Sequence, residues 1–287
     1  MRPFLFSFFI FFWGTFQIAF AQSVEFQSED SVFVEHLLRQ ARTDRGETPR
    51  TLWFGQQFVG RPYVAHTLEN GTTEHLIVNT RELDCTTFLE TVCALSLCDA
   101  NGQQTFADFC RWLQRLRYRQ GQIEDYTSRL HYFTQWADDN AAQLLVEDVL
   151  EKCPYEGLAT QTVSINYMSQ HPDLYKHLKR NPQFVPVIRS QERAVQGRRL
   201  RYLPKSCLNR SASELSFIHT GDLVAIVTSK AGLDTSHLGF AVWQQGRLHL
   251  MHASSLYHRV VIDSKSFYDY SQGQRSQVGI RVLRLAE

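Results

Sequence analysis

Leu83-Asp84-Cys85-Thr86-Thr87-Phe88-Leu89-Glu90 is where the chain passes from a polar, turn-rich stretch into an apolar helical pattern. Phe88, Val92 and Leu95 recur at helical spacing, so a helix continues from this point. Asp84 is a good N-cap, which sets Cys85 in the first helical turn. A rival capping box, Thr87-x-x-Glu90, would leave Cys85 just outside the helix. In the first placement the free amides and the positive end of the helix dipole favour a thiolate and predict a lowered thiol pKa. Among the six cysteines (85, 93, 98, 110, 153 and 207) only Cys85 is so placed. The competing reading of any one of them is an inert, buried residue, so a partner histidine decides the matter.

Upstream, Asp30 to Arg42 predicts a helix with Phe33, Leu37, Leu38 and Ala41 on one face, and Thr51 to Phe58 a second, shorter one. Gly60-Arg61-Pro62-Tyr63 breaks the pattern, and His75 to Thr80 reads as a short strand. Downstream, segments Phe106 to Leu116, Leu130 to Asp138, Leu144 to Leu150, Pro172 to Lys179 and Gln183 to Val195 read as helices, giving a mainly helical stretch over about 100–215. The period then changes. Leu223 to Thr228, Leu238 to Trp243, Leu248 to His252, Val260 to Ile262 and Val278 to Leu283 read as strands. Helices followed by a run of antiparallel strands is an α+β order.

Two of the 11 histidines, His237 and His252, flank the turn Gln244-Gln245-Gly246-Arg247. With Gln245-Gly246 as a two-residue loop, Gln244 faces Arg247, Gly239 faces His252, and the two histidines share a face as diagonal neighbours, roughly 7 Å apart. A three-residue loop would put them on opposite faces. A thiol, a histidine that shuttles its proton and a polar group that orients the histidine form a nucleophilic triad for acyl transfer. Two strand histidines satisfied by ordinary hydrogen bonds are the alternative.

The 30 Lys plus Arg and 29 Asp plus Glu leave a net charge of +1, which argues against a nucleic-acid or polyanion binder. At 43% hydrophobic and 21% charged, the 287 residues bury a substantial core and are not mainly disordered. Eight of the 20 phenylalanines fall within the first 21 positions. Met1-Arg2, an uncharged stretch from Phe4 to Phe20, and Ala19-Phe20-Ala21 predict a signal peptide over 1–21, cleaved before Gln22; an uncleaved anchor is the alternative. The rest of the chain, 22–287, reads as one domain in an exported space, with no stable membrane insertion once the leader is removed. An even cysteine count there invites disulfides, but no C-x-x-C pair and no zinc-finger spacing occurs, so no metal site or cofactor is expected. G-x-S-x-G and H-E-x-x-H are also absent.

Four motifs in order carry a resemblance. Gly60-Arg61-Pro62-Tyr63, Asp84-Cys85-Thr86, His237-Leu238-Gly239-Phe240 and Met251-His252-Ala253-Ser254 resemble those of the NlpC-type, papain-like cysteine peptidases and amidases of bacterial cell-wall turnover. Leu83 to Glu90, Leu116-Arg117-Tyr118-Arg119-x-Gly121, Ser128-Arg129-Leu130-His131-Tyr132, Gly221-Asp222 and Leu233-Asp234-Thr235-Ser236-His237 resemble more closely its N-acetylmuramoyl-L-alanine amidase-like branch. The resemblance implies a papain-like core with a helical insertion, Cys85 as nucleophile, His237 as base and then acid, and His252 as its orienting partner. It places Tyr63 near the oxyanion and makes Arg117, Arg119, Arg129, His131 and Ser254 candidates for substrate binding. The double glycine usual after the tyrosine is replaced by Val64-Ala65-His66, which tells against the commoner D-glutamyl-diaminopimelate endopeptidase specificity. The implied reaction is hydrolysis of the amide between the lactyl group of N-acetylmuramic acid and L-alanine, by a monomer in the bacterial periplasm or outside the cell. The partner is then peptidoglycan or a muropeptide. A stem-peptide endopeptidase and a catalytically silent cell-wall binding module are the alternatives.

Overall fold

The computed structural model describes residues 24–286; the expected signal peptide lies outside them. In chain order the helices are α1 (Ser28–Asp44), α2 (Arg50–Gln56), α3 (Cys85–Ala100), α4 (Phe106–Arg117), α5 (Phe133–Ala142), α6 (Tyr167–Gln170), α7 (Lys176–Arg180), α8 (Phe184–Ala194) and α9 (Phe267–Gln272). The strands are β1 (Val24–Glu25), β2 (Leu76–Ile77), β3 (Val146–Asp148), β4 (Ala159–Thr162), β5 (Arg199–Pro204), β6 (Leu223–Thr228), β7 (Thr235–Gln244), β8 (Arg247–Ser254), β9 (Arg259–Ile262) and β10 (Gln277–Leu285). The α+β order read from the sequence is the observed one.

One antiparallel sheet runs β4-β5-β10-β6-β7-β8-β9, with β3 pairing the far end of β10 beside β5. Both of its faces are covered. β6 reads Leu-Val-Ala-Ile-Val-Thr and is buried throughout, as a central strand between two packed layers must be. Ala225, Leu223, Phe240, Val242 and Met251 meet the helices, whereas Val224, Ile226, Ala241, Leu250 and Val282 meet Leu203, Leu215, Ile218 and Phe267.

α3 is apolar all round because it is the central helix. Phe88, Leu89, Val92, Cys93, Ala94, Leu95 and Cys98 are all fully buried, with α1, α2 and α4 around them. Phe88 sets its ring edge-on to Phe240 of β7 at 5.7 Å and to Phe58 at 6.2 Å, fixing the helix against the sheet.

The stretch between α4 and β6 is less helical than expected. Leu144 to Leu150, read as a helix, contains β3 instead: Leu144 takes φ +59 after α5 and breaks the helical path. β4 and β5, where the sequence predicts no strand, pair through Ala159↔Tyr202 to Thr162↔Arg199 and extend the sheet. Leu130 to Tyr132 lie outside the helix, which begins only at Phe133 after the extended N-cap Tyr132. Pro172 to Lys179 divides into a short 3-10 turn and α7. Tyr126, Tyr132, Val163, Ile165, Met168, Leu178 and Ile188 give this stretch a small core of its own.

Candidate active site

Asp84 caps α3. Its Oδ1 accepts from the Thr87 amide at 2.8 Å, while the Asp84 amide donates to Thr87 Oγ1 at 2.9 Å, so the capping box runs from Asp84 to Thr87 and not from Thr87 to Glu90. Cys85 is therefore the first helical residue, as the first placement had it. Neither it nor any of the other five cysteines is in a disulfide.

The thiol pKa does not follow the helix-end argument. Burial pushes Cys85 up to about 12, and the adjacent Asp84 charge adds to the rise. The Leu238 amide, the Thr86 hydroxyl and the Cys85 amide favour the thiolate but do not offset the desolvation. In the resting site the thiol keeps its proton.

β7 and β8 turn at Gln245-Gly246, with φ +50 and +75, the left-handed pair a two-residue type I′ loop requires. Gln244 pairs with Arg247 and Phe240 with Met251, the register anticipated from the sequence. His237 and His252 consequently meet: Nε2 of His237 is 2.6 Å from Nδ1 of His252, with the rings edge to face. Burial lowers the His237 pKa to about 4, and burial together with the neighbouring His237 lowers His252 to about 3. Both rings are neutral above that range, so one donates and the other accepts across the 2.6 Å contact.

Cys85 and His237 line one cavity of about 220 Å³. Its wall is mostly apolar and aromatic, with Leu89, Tyr132, Phe133, Trp136, Met168, Tyr175 and Leu233. Much of it comes from the stretch between α4 and β6. On the other side of His237 lies a polar cavity of about 210 Å³ that includes Lys230, Ser236, Ser254, Ser255 and Gln274. Among the described residues no group of three His, Cys, Asp or Glu side chains is placed to hold a metal ion.

The remaining site candidates divide by position. Tyr63 is half-buried close to Cys85: its backbone bridges Leu83, and burial, with the nearby Cys85 and Asp84, pushes its hydroxyl up to about 12. His131 lines the cavity, its Nε2 2.8 Å from the Tyr126 carbonyl, and burial followed by the Arg129 charge lowers its pKa to about 3. It faces the cavity as a neutral ring with Nδ1 as acceptor, which is unsuited to gripping a carboxylate. Ser254 Oγ accepts from the Tyr257 amide at 3.3 Å.

The three arginines are placed away from the thiol. Arg117 is buried, donating to Glu90 at 2.6 Å and to the Ile77 carbonyl at 2.7 Å. Arg129 is clamped by Glu74, Glu69 and the Leu68 carbonyl, which ties the loop after Tyr63 to the Ser128–Tyr132 segment. Arg119 lines a separate surface groove with Gln135 and the side of α8. Trp136, Tyr175 and Met168, which line the cavity, were not singled out in the sequence; nothing local marks them, because the chain's path alone brings them to Cys85.

The profile of the N-acetylmuramoyl-L-alanine amidase-like family (AmiA-like) matches residues 53–280. The crystal structure of an N-acetylmuramoyl-L-alanine amidase from Bacteroides uniformis is similar at 38% identity and a TM-score of 0.78, over 83% of this chain and 100% of that one. A Bacteroides fragilis protein named as a candidate xylanase is 44% identical, with a TM-score of 0.75, over 81% of this chain and 99% of its own. A Legionella pneumophila protein at 20% identity and a TM-score of 0.69, covering 90% of this chain and 95% of its own, shares the fold. No curated protein sequence matches the chain. The profile spans both the α3 start and the histidine strands, and the chain belongs to the N-acetylmuramoyl-L-alanine amidase-like family.

Proposed function

We propose that this protein is an exported cysteine amidase that hydrolyses the amide between the lactyl group of N-acetylmuramic acid and L-alanine in peptidoglycan fragments. The observation that carries the reading is the meeting of three residues: Cys85 at the α3 start opens into the same cavity as His237, and His237 is held by His252 at 2.6 Å. The family membership and the 38%-identical amidase from Bacteroides uniformis support this choice of bond and substrate class.

The chemistry follows from the protonation states. Because the resting thiol and both imidazoles are neutral, the Cys85 proton passes to His237 Nδ1 as the sulfur attacks the lactyl carbonyl. The developing oxyanion lies near the Cys85 backbone amide and Tyr63, at the positive end of α3. His237 then gives the proton to the departing L-alanine nitrogen, the C–N bond breaks, and a muramoyl thioester remains on Cys85. Water, deprotonated by His237, attacks the thioester and releases the lactyl carboxylate and the thiol. The aromatic wall of Tyr132, Trp136 and Tyr175 suits the flat, less polar face of a sugar ring.

The candidate-xylanase neighbour raises a second reading, glycoside hydrolysis, which needs two facing carboxyl groups. Among the described residues the only carboxylate lining the Cys85 cavity is Asp234. Both of its oxygens are engaged, one by the Thr134 amide at 2.7 Å and the other by the Thr235 amide at 2.8 Å. The site therefore favours amide chemistry.

The test is mass spectrometry of defined muropeptides after incubation with the protein. Release of the free sugar and an intact L-alanyl peptide supports the amidase. Scission within the peptide assigns an endopeptidase, and absence of cleavage assigns a binding module.

A further inference from the structure

The His237–His252 contact continues to a fourth group. Asp263 follows the end of β9 and is 1% exposed, as is His252. Its carboxylate Oδ2 lies 3.9 Å from His252 Nε2, and among the described residues neither atom has a hydrogen-bond partner.

The rest of Asp263 is fully committed. Its amide donates to the Leu250 carbonyl at 2.9 Å, and its carbonyl accepts from His249 Nδ1 at 2.9 Å. Oδ1 accepts from the Lys265 amide at 2.9 Å and faces the Tyr257 hydroxyl at 3.5 Å. Only Oδ2 is left, and it points at the only free nitrogen of His252. Two buried polar atoms left unpaired are costly, so closing the gap by roughly 1 Å is favoured.

We propose that Asp263 is a positioning residue that fixes the tautomer of both histidines. This rests on the triad reading given above. With Oδ2 accepting the Nε2–H of His252, the His252 Nδ1 lone pair must accept the Nε2–H of His237. That leaves His237 Nδ1 bare, ready to take the Cys85 proton. In the opposite arrangement His252 would donate from Nδ1, His237 would carry its proton on Nδ1, and the base would face the thiol already protonated. The other titratable groups facing this pair are His249 on β8, Tyr257 in the turn after it, Tyr270 on α9, whose ring stands 5.7 Å from His252, and Cys85 beyond His237.

The test reads the tautomers directly, by nitrogen NMR of protein labelled with 15N-histidine and without substrate, so it stands even if the assigned reaction is wrong. The wild type is expected to show protonated Nε2 and bare Nδ1 on both His237 and His252. In Asp263→Asn that pattern should be lost, and kcat on whichever muropeptide is cleaved should fall at least ~10-fold with KM within about 2-fold. Combining Asp263→Asn with His252→Ala should cost no more than His252→Ala alone, since Asp263 acts through His252. A proton on His252 Nδ1 in the wild type overturns the assignment, whether or not the variant folds. So does a folded Asp263→Asn with wild-type tautomers, whatever its activity.

Discussion

His237 and His252 sit on neighbouring strands with their ring nitrogens 2.6 Å apart, and Gly239 is the residue across from His252. A β-carbon at Gly239 would lie 2.6 Å from the Met251 carbonyl and 3.0 Å from His252 Cβ. The missing side chain is what allows the second ring to lean against the first. Gly239→Ala should therefore leave the fold intact, cost about 1–3 kcal/mol in overpacking and reduce kcat on the order of 100-fold by displacing His252. Urea denaturation and muropeptide kinetics measure the two effects; wild-type kcat in a destabilised variant would contradict the packing argument.

The acid limb of the kcat/KM profile should lie near pH 4, because His237 must be neutral in the free protein and burial lowers its pKa to about 4. A limb at the ordinary histidine value would show that the ring is solvated. The same groups tie stability to pH. His131, His237 and His252 have folded pKa values below the unfolded one, so as pH falls from about 6.5 the unfolded chain takes up protons first and stability declines towards pH 4. Thermal melts at stepped pH follow that slope.

Asp84 both caps α3 and raises the Cys85 pKa. Asn caps a helix about as well as Asp, so Asp84→Asn should keep the helix while lowering the thiol pKa. Alkylation of Cys85 by iodoacetamide at fixed pH, followed by peptide mapping, should then accelerate severalfold. An unchanged or slower rate would show that the Asp84 charge is screened.

Arg117 and Glu90 form a buried pair, in which burial raises the Glu90 pKa and Arg117 lowers it. Arg117→Ala strands the carboxyl and should cost about 3–5 kcal/mol, whereas replacing both by apolar residues of similar volume should cost much less. Since Arg117 does not line the Cys85 cavity, folded Arg117→Ala should keep its kcat. A loss of kcat without a loss of stability would put Arg117 in the site.

What could be read from the sequence was local. Asp84 fixes where α3 starts, and the Gln245-Gly246 loop fixes the hairpin register, and with it the meeting of His237 and His252. β6 to β10 carry continuous or alternating apolar residues and are recognisable as strands. Leu144 to Leu150 misled because its apolar residues fit a helix, while pairing with β10, far along the chain, decides its structure. β4, at the sheet edge, is the polar run Ala-Thr-Gln-Thr, and β5 alternates Arg199 and Arg201 with Leu200 and Tyr202 over too few residues to stand out. The thiol pKa is not legible in the sequence for a related reason: a helix end is visible there, but the burial that outweighs it is not. Nor does the sequence say that Glu90, Glu74 and Glu69 claim Arg117 and Arg129, because those partners come from distant segments.

That Cys85 breaks the lactyl amide is tested by turnover of a defined muropeptide by Cys85→Ala, with circular dichroism and the melting temperature as checks that the variant is folded. Folded Cys85→Ala should release no L-alanyl peptide above background, His237→Ala should be similarly inactive, and His252→Ala should retain measurable turnover. Wild-type release of the peptide by Cys85→Ala would contradict this role of Cys85.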